Sequence, residues 1–183
     1  MSKRAALRRE QKAKKKANKL LGTRGELERI SCQAMEDGRR FAFVSIYSCL
    51  IEHFRFGRRR CEQFSERVRK ESSKLEQDGV SFVIKWYIDK VQKALEQEKF
   101  FVSSQNPKEH IYLCQREEQF TIAVAIMLAT LQEMYGFSFQ QTKIGRLNFC
   151  LNWCVEKYTK YFSDIEAFQW EKHKIEEKLH VNV

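Results

Sequence analysis

One proline and seven glycines in 183 residues leave little material for tight turns. No stretch sustains the apolar–polar alternation of a half-buried strand, so a fold of many short strands is excluded. Long apolar runs are missing too. The longest, Thr121 to Leu131, falls well short of the roughly 20 residues of a membrane-spanning helix. The basic beginning of the chain is not followed by the apolar stretch of a secretory signal. There is no glycine-rich phosphate loop. Glu117-Glu118 and Glu176-Glu177 are adjacent pairs that diverge on a helix, and Glu171 to His173 reads as exposed helix. These absences argue against an enzyme; no catalytic residue, metal or cofactor is expected.

What is present is apolar and helix-forming. Hydrophobic residues make up 43% of the chain and include 14 phenylalanines, ample for a core. Lys, Glu, Gln, Arg, Leu and Ala fill the positions between them, which favours helix. An all-α fold follows. The six cysteines (32, 49, 61, 114, 150 and 154) lie within apolar helical patterns and read as reduced, small buried hydrophobes. Cys150 and Cys154 share a helix face, but none of the four histidines pairs with them as a metal site requires.

Charge is concentrated at one end. Residues 1–21 carry Lys3, Arg4, Arg8, Arg9, Lys12, Lys14, Lys15, Lys16 and Lys19 against Glu10, a net +8 of the whole chain's +10. The remaining residues hold 25 cations and 23 acids. Such an imbalance reads as a solvated basic arm, disordered or a frayed helix, of the kind that finds phosphate backbones and releases their counterions. RNA and DNA fit equally.

Two segments share a pattern. Phe54-x-Phe56 is followed by Arg60, Cys61, Phe64 and Val68, and Phe137-x-Phe139 by Lys143, Ile144, Leu147 and Leu151, at a constant offset of 83. Duplication of a three-helix unit explains this better than the periodicity that helices share anyway. The expected organisation is a basic arm (1–21), a first helical unit (22–99), a linker (100–106) and a second unit (107–183), packed as a helical bundle. Helices are predicted from about Gly25 to His53 and from Arg58 to about Glu76. A third is capped by Ser81 and carries Phe82, Trp86, Val91 and Leu95. Asn106-Pro107 opens a fourth, which Gly136 closes. A fifth carries Ile144, Leu147, Leu151, Cys154, Tyr158 and Tyr161. Ser163 or Asp164 caps a sixth with Ile165, Phe168, Ile175 and Leu179. Phe41 to Ile51 and Thr121 to Leu131 are apolar nearly all round and suit central helices. Two packings fit: the pair side by side within one molecule, or one of them used for a homodimer.

Arg55, Arg58, Arg59 and Arg60 form a second basic cluster where a helix begins. Cations there oppose the macrodipole, so stability does not call for them, and guanidinium groups grip phosphates bidentately. The second unit has Gln140, Gln141, Thr142 and Lys143 in that place. His53, Phe54, Phe56 and Phe64 interleave with the arginines as a base-stacking platform would, but Phe64 continues a core face and Phe56 has an aromatic twin at Phe139. Core is the reading preferred for them.

The stretch Phe56-Gly57-Arg58-Arg59-Arg60-Cys61-Glu62-Gln63-Phe64, after an apolar helix, resembles a group of small uncharacterised proteins of phages and prophages of Gram-positive bacteria. These also begin with a basic, alanine-rich leader like Arg4-Ala5-Ala6-Leu7-Arg8-Arg9. The resemblance covers roughly residues 1–98, with a weaker echo at Tyr135-Gly136-Phe137. It implies a mobile-element setting, in a bacterial host cytoplasm, and a role in modulating host or phage machinery by binding. The leading expectation is a non-enzymatic accessory protein that binds nucleic acid or a nucleoprotein complex through the arm and the arginine cluster. A second is an anti-CRISPR-like inhibitor of a host defence complex, docking on a guide-RNA nuclease; a third is a virion-assembly or scaffolding role.

Overall fold

Most helices of the protein begin where a side chain can satisfy a free backbone N–H. The computed structural model describes residues 22–98, 104–140 and 145–179. The basic arm, residues 100–103 of the expected linker, and Gln141 to Ile144 of the repeat lie outside them. Six α-helices and no strand occur among the described residues: α1 (Arg24–Glu52), α2 (Arg58–Asp78), α3 (Phe82–Gln97), α4 (Pro107–Tyr135), α5 (Arg146–Ser163) and α6 (Ile165–Leu179). Thr23 caps α1, Ser81 caps α3 and Asn106 caps α4, the last with proline in the first turn. Asp164 accepts the Ala167 N–H at 2.9 Å at the start of α6. By contrast, α2 and α5 follow Gly57 and Gly145, with no side-chain cap.

The two apolar helices form the centre of an all-α bundle. α1 and α4 run side by side in the same direction. Glu26 pairs with Lys108 near their starts, Gly38 abuts Arg116 and Phe120 midway, and the Phe54 and Phe137 rings meet 5.0 Å apart just past their ends. A Cβ on Gly38 would lie 2.3 Å from the Arg116 carbonyl oxygen, so the absent side chain lets the two backbones approach. The amphipathic helices surround this pair and interleave: α2 and α3 pack on α4, whereas α5 and α6 pack on α1. Their inner faces bury Cys61, Phe64 and Val68 of α2, Leu147, Leu151, Cys154, Tyr158 and Tyr161 of α5, and Phe168, Ile175 and Leu179 of α6. Aromatic contacts lock the layers together, with Phe120 stacked on Tyr158 at 4.1 Å and Phe41 edge-on to Phe168 at 4.6 Å.

Six side chains depart from the sequence reading. On α3 the buried face is Tyr87, Val91 and Leu95, while Phe82 and Trp86 lie on the outside. Ile165 is exposed on α6. Cys32 and Cys114 are exposed rather than core; Cys49, Cys61, Cys150 and Cys154 are buried. Glu171 is only 4% exposed, held at 2.6 Å by the Lys157 ammonium of α5. A buried cation, Arg116, sits among the rings of Phe41, Tyr112, Tyr158 and Phe162, 4.7 to 5.8 Å from their centres.

The buried thiols are unreactive by environment. Contact with Cys150 at 3.7 Å, together with burial, pushes the Cys49 thiol far above its ordinary value. Burial pushes Cys61 up to about 11. Among the described residues no cluster of His, Cys, Asp or Glu is arranged to hold a metal, and no helix is long and apolar enough to cross a membrane.

Candidate nucleic-acid interface

The turn that carries the arginine cluster is built from the end of α1. The His53 and Phe54 N–H groups donate to Cys49 O and Leu50 O at 3.0 and 3.2 Å, and the Phe56 N–H reaches back to Leu50 O at 3.0 Å. That closure drives Arg55 into the left-handed region, at φ 53. An L side chain there costs about 1–2 kcal/mol. α4 closes in the same way, with the Phe137 N–H reaching Leu131 O at 3.4 Å, but the left-handed residue is Gly136 at φ 63. These bonds match Phe56 with Phe137, both buried, rather than with Phe139. The offset at the turn is therefore 81, against the 83 of the sequence pattern.

The four arginines of this turn are exposed. Arg58 pairs with Glu62 at 2.8 Å across one helical turn, both side chains more than half exposed. Arg60 lies over the Phe56 ring at 5.7 Å. Arg55 and Arg59 have no ion pair among the described residues. No acid occupies the first turn of α2, so apart from Glu62 on Arg58 nothing there offsets the cations beside the positive end of the helix dipole. Phe64 is fully buried, Phe56 nearly so, and Phe54 packs on Phe137 and Phe149. His53 lies edge-on to Phe149 and Trp153. The aromatic residues next to the arginines therefore belong to the fold. The nine arm cations from Lys3 to Lys19 fall outside the described residues.

A line of cations and rings continues from this turn along the end of the bundle. Arg60 O accepts from the Tyr135 hydroxyl at 3.4 Å, and the Tyr135 ring meets Phe56 at 4.9 Å and Phe137 at 6.3 Å. Arg146 covers Phe137 at 5.4 Å. Phe139 is held by the start of α5, its carbonyl accepting from Asn148 Nδ2 at 3.3 Å, and its ring meets Trp86 at 5.4 Å. Lys90 lies over both Trp86 (5.2 Å) and Phe139 (6.0 Å). Sequence reading missed Arg146, Lys90, Trp86 and Phe139 as a group because they come from three separate segments. One local signal was available: Phe82, Trp86 and Lys90 recur every four residues and share a helix face.

An open apolar groove of about 850 Å³ lies between α1 and α2 over α4, with Phe43, Val68, Ile122 and Met127 in its walls and a rim that balances Arg39, Arg40, Arg58 and Arg69 against Glu36, Glu62, Glu66 and Glu76. Tyr47 faces the groove; its hydroxyl bonds to Ser65 and burial pushes it up to about 12. No family model matches the chain, and no curated protein or solved structure shows significant similarity to it.

Proposed function

We propose that the protein is a non-enzymatic accessory protein of phage type that binds nucleic acid, free or within a nucleoprotein complex, in the cytoplasm of a bacterial host. Its phosphate contacts are Arg55, Arg58, Arg59 and Arg60, assisted by the basic arm. The observation that carries this reading is Arg55. The chain keeps an arginine in a left-handed conformation where glycine would be relaxed, beside three more arginines that oppose a helix dipole. Unfavourable local choices at one surface turn fit a ligand that repays them.

Anisotropy of a labelled oligonucleotide between 50 and 200 mM salt tests it. If about five arm cations meet phosphates, the arm alone supplies roughly a 500-fold affinity loss over that range. Removing residues 1–21 abolishes most of that slope and leaves a helical protein. Replacing Arg58, Arg59 and Arg60 with glutamine lowers the remaining slope by about 2.7. Unchanged binding in both variants would sink the proposal. The groove beside Arg58 favours a second reading, inhibition of a guide-RNA nuclease complex, with a protein element of that complex in the groove and its RNA on the arginines. Weak binding to bare nucleic acid, restored by such a complex, is its signature.

A further inference from the structure

Phe82 is 86% exposed and Trp86 42% exposed, with Val80 and Val83 beside them, although the opposite face of α3 is fully buried. α3 thus has two apolar stripes at a spacing of four: Tyr87, Val91 and Leu95 face the core, and Phe82 and Trp86, followed by Lys90, face outward. Core packing accounts for the first stripe only. The outer stripe joins, through Phe139, the line of cations and rings that ends at Arg60.

We infer that this line is a binding surface for single-stranded nucleic acid, with unpaired bases stacked on Phe82 and Trp86 and phosphates held by Lys90, Arg146 and the Arg60 end. The inference rests on the nucleic-acid reading above and specifies its substrate. Three features favour it. Lys90 sits against the exposed Trp86 and the half-buried Phe139, and Arg146 and Arg60 lie exposed farther along over the buried Phe137 and Phe56, so a row of cations leads away from an exposed ring surface. Rings for bases beside cations for phosphates suit a strand that presents both. Next, Phe82 and Trp86 are four residues apart, about 6 Å along the helix axis. That exceeds the roughly 3.4 Å step of one strand in a duplex, so a strand engaging both rings is drawn out of duplex stacking. Finally, bases within a duplex offer no free face to a ring, whereas unpaired bases do. Carboxylates lie near the strip too, with Glu62 paired to Arg58 at its Arg60 end. Asp89 is beside Lys90, and Glu133 is engaged by Arg67.

The test compares an oligothymidylate of about 16 nucleotides with a duplex of the same length, using the full chain. Phe82→Ala and Trp86→Ala should each weaken single-strand binding by at least about fivefold and leave duplex binding unchanged. Trp86→Phe, which keeps a ring, should retain most of the affinity. Tryptophan emission should be quenched by the oligothymidylate in the parent and much less in Trp86→Ala. Phe82→Ala removes almost no packing, so its result is independent of any loss of stability. Equal losses on single strand and duplex, or no loss on either, would overturn the inference. If the Arg58, Arg59 and Arg60 glutamine variant weakens both polymers while the ring variants weaken neither, phosphate binding stands and this inference falls. Failure of the parent to bind either polymer defeats both. An emission shift with phosphatidylserine vesicles but not with the oligothymidylate assigns the stripe to a lipid surface and overturns it as well.

Discussion

The chain leaves α1 and α4 by the same backbone route but with different side chains. Both turns place one residue in the left-handed region and tie a buried phenylalanine back to a leucine six residues earlier. At the second turn the left-handed residue is glycine, the choice that relieves strain. At the first it is Arg55, followed by Gly57 and three exposed arginines. Each half also treats its charge differently: the first displays exposed cations on a turn, Arg55 and Arg59 among them without an ion pair, while the second sets the half-buried Lys157 against the buried Glu171 between α5 and α6. One fold thus carries two uses of charge, and the geometry shows which is internal. Paired and enclosed charge holds helices in place. Exposed charge at an uncongenial helix start is available to a ligand.

Four variants probe this contrast. The largest effect belongs to Glu171→Ala, which leaves the half-buried Lys157 ammonium without its carboxylate and should cost about 3 kcal/mol in denaturant unfolding. Nucleic-acid binding by the folded variant should be unchanged. A cost below about 1 kcal/mol would mean that the pair is solvated, and the contrast between the halves would fail. Exchanging the turn residues comes next. Gly136→Arg should lose about 1–2 kcal/mol, since a Cβ there meets no atom and only the backbone conformation objects. Arg55→Gly should gain up to about 1 kcal/mol while binding weakens. Stability changes of the same sign in both would show that the turns are not equivalent. The smallest effect is on the stability of the Arg58, Arg59 and Arg60 glutamine variant, within about 0.5 kcal/mol of the parent. Relief of the helix dipole there is offset by loss of the exposed Arg58–Glu62 pair. A larger loss would make the cluster structural.

Helix ends and the two central helices were legible in the sequence because their signals are local. Ser81, Asn106-Pro107, Gly136 and Asp164 act within three residues of where they stand, and unbroken apolar runs need a partner whatever that partner is. The outward face of α3 was not legible. Phe82 with Trp86 and Tyr87 with Val91 have the same spacing, and only the approach of α4 and α5 decides which pair is covered. Burial of Glu171 depends on a lysine from another helix, so a solvated acid and an enclosed one look alike in sequence. The arginine cluster was readable as a local conflict with the dipole. Its continuation through Arg146, Phe139 and Lys90 appears only when three distant segments meet. The backbone strain at Arg55 was equally hidden, since it follows from hydrogen bonds that close the helix and not from the residue itself.

Interleaved packing also has a consequence for synthesis. Phe41 to Ile51 find their principal partner in Thr121 to Leu131 and in α5, all encoded far downstream. At 5–20 residues per second, about 80 residues of translation separate the first apolar stretch from the second, or roughly 4–16 s. During that interval the nascent chain carries a helix apolar on every side with nothing to enclose it, since α2 and α3 pack chiefly on the missing α4. Such a chain is an obvious client for chaperones and an easy victim of aggregation when overproduced. Its native state is reached only after nearly the whole polypeptide has left the ribosome.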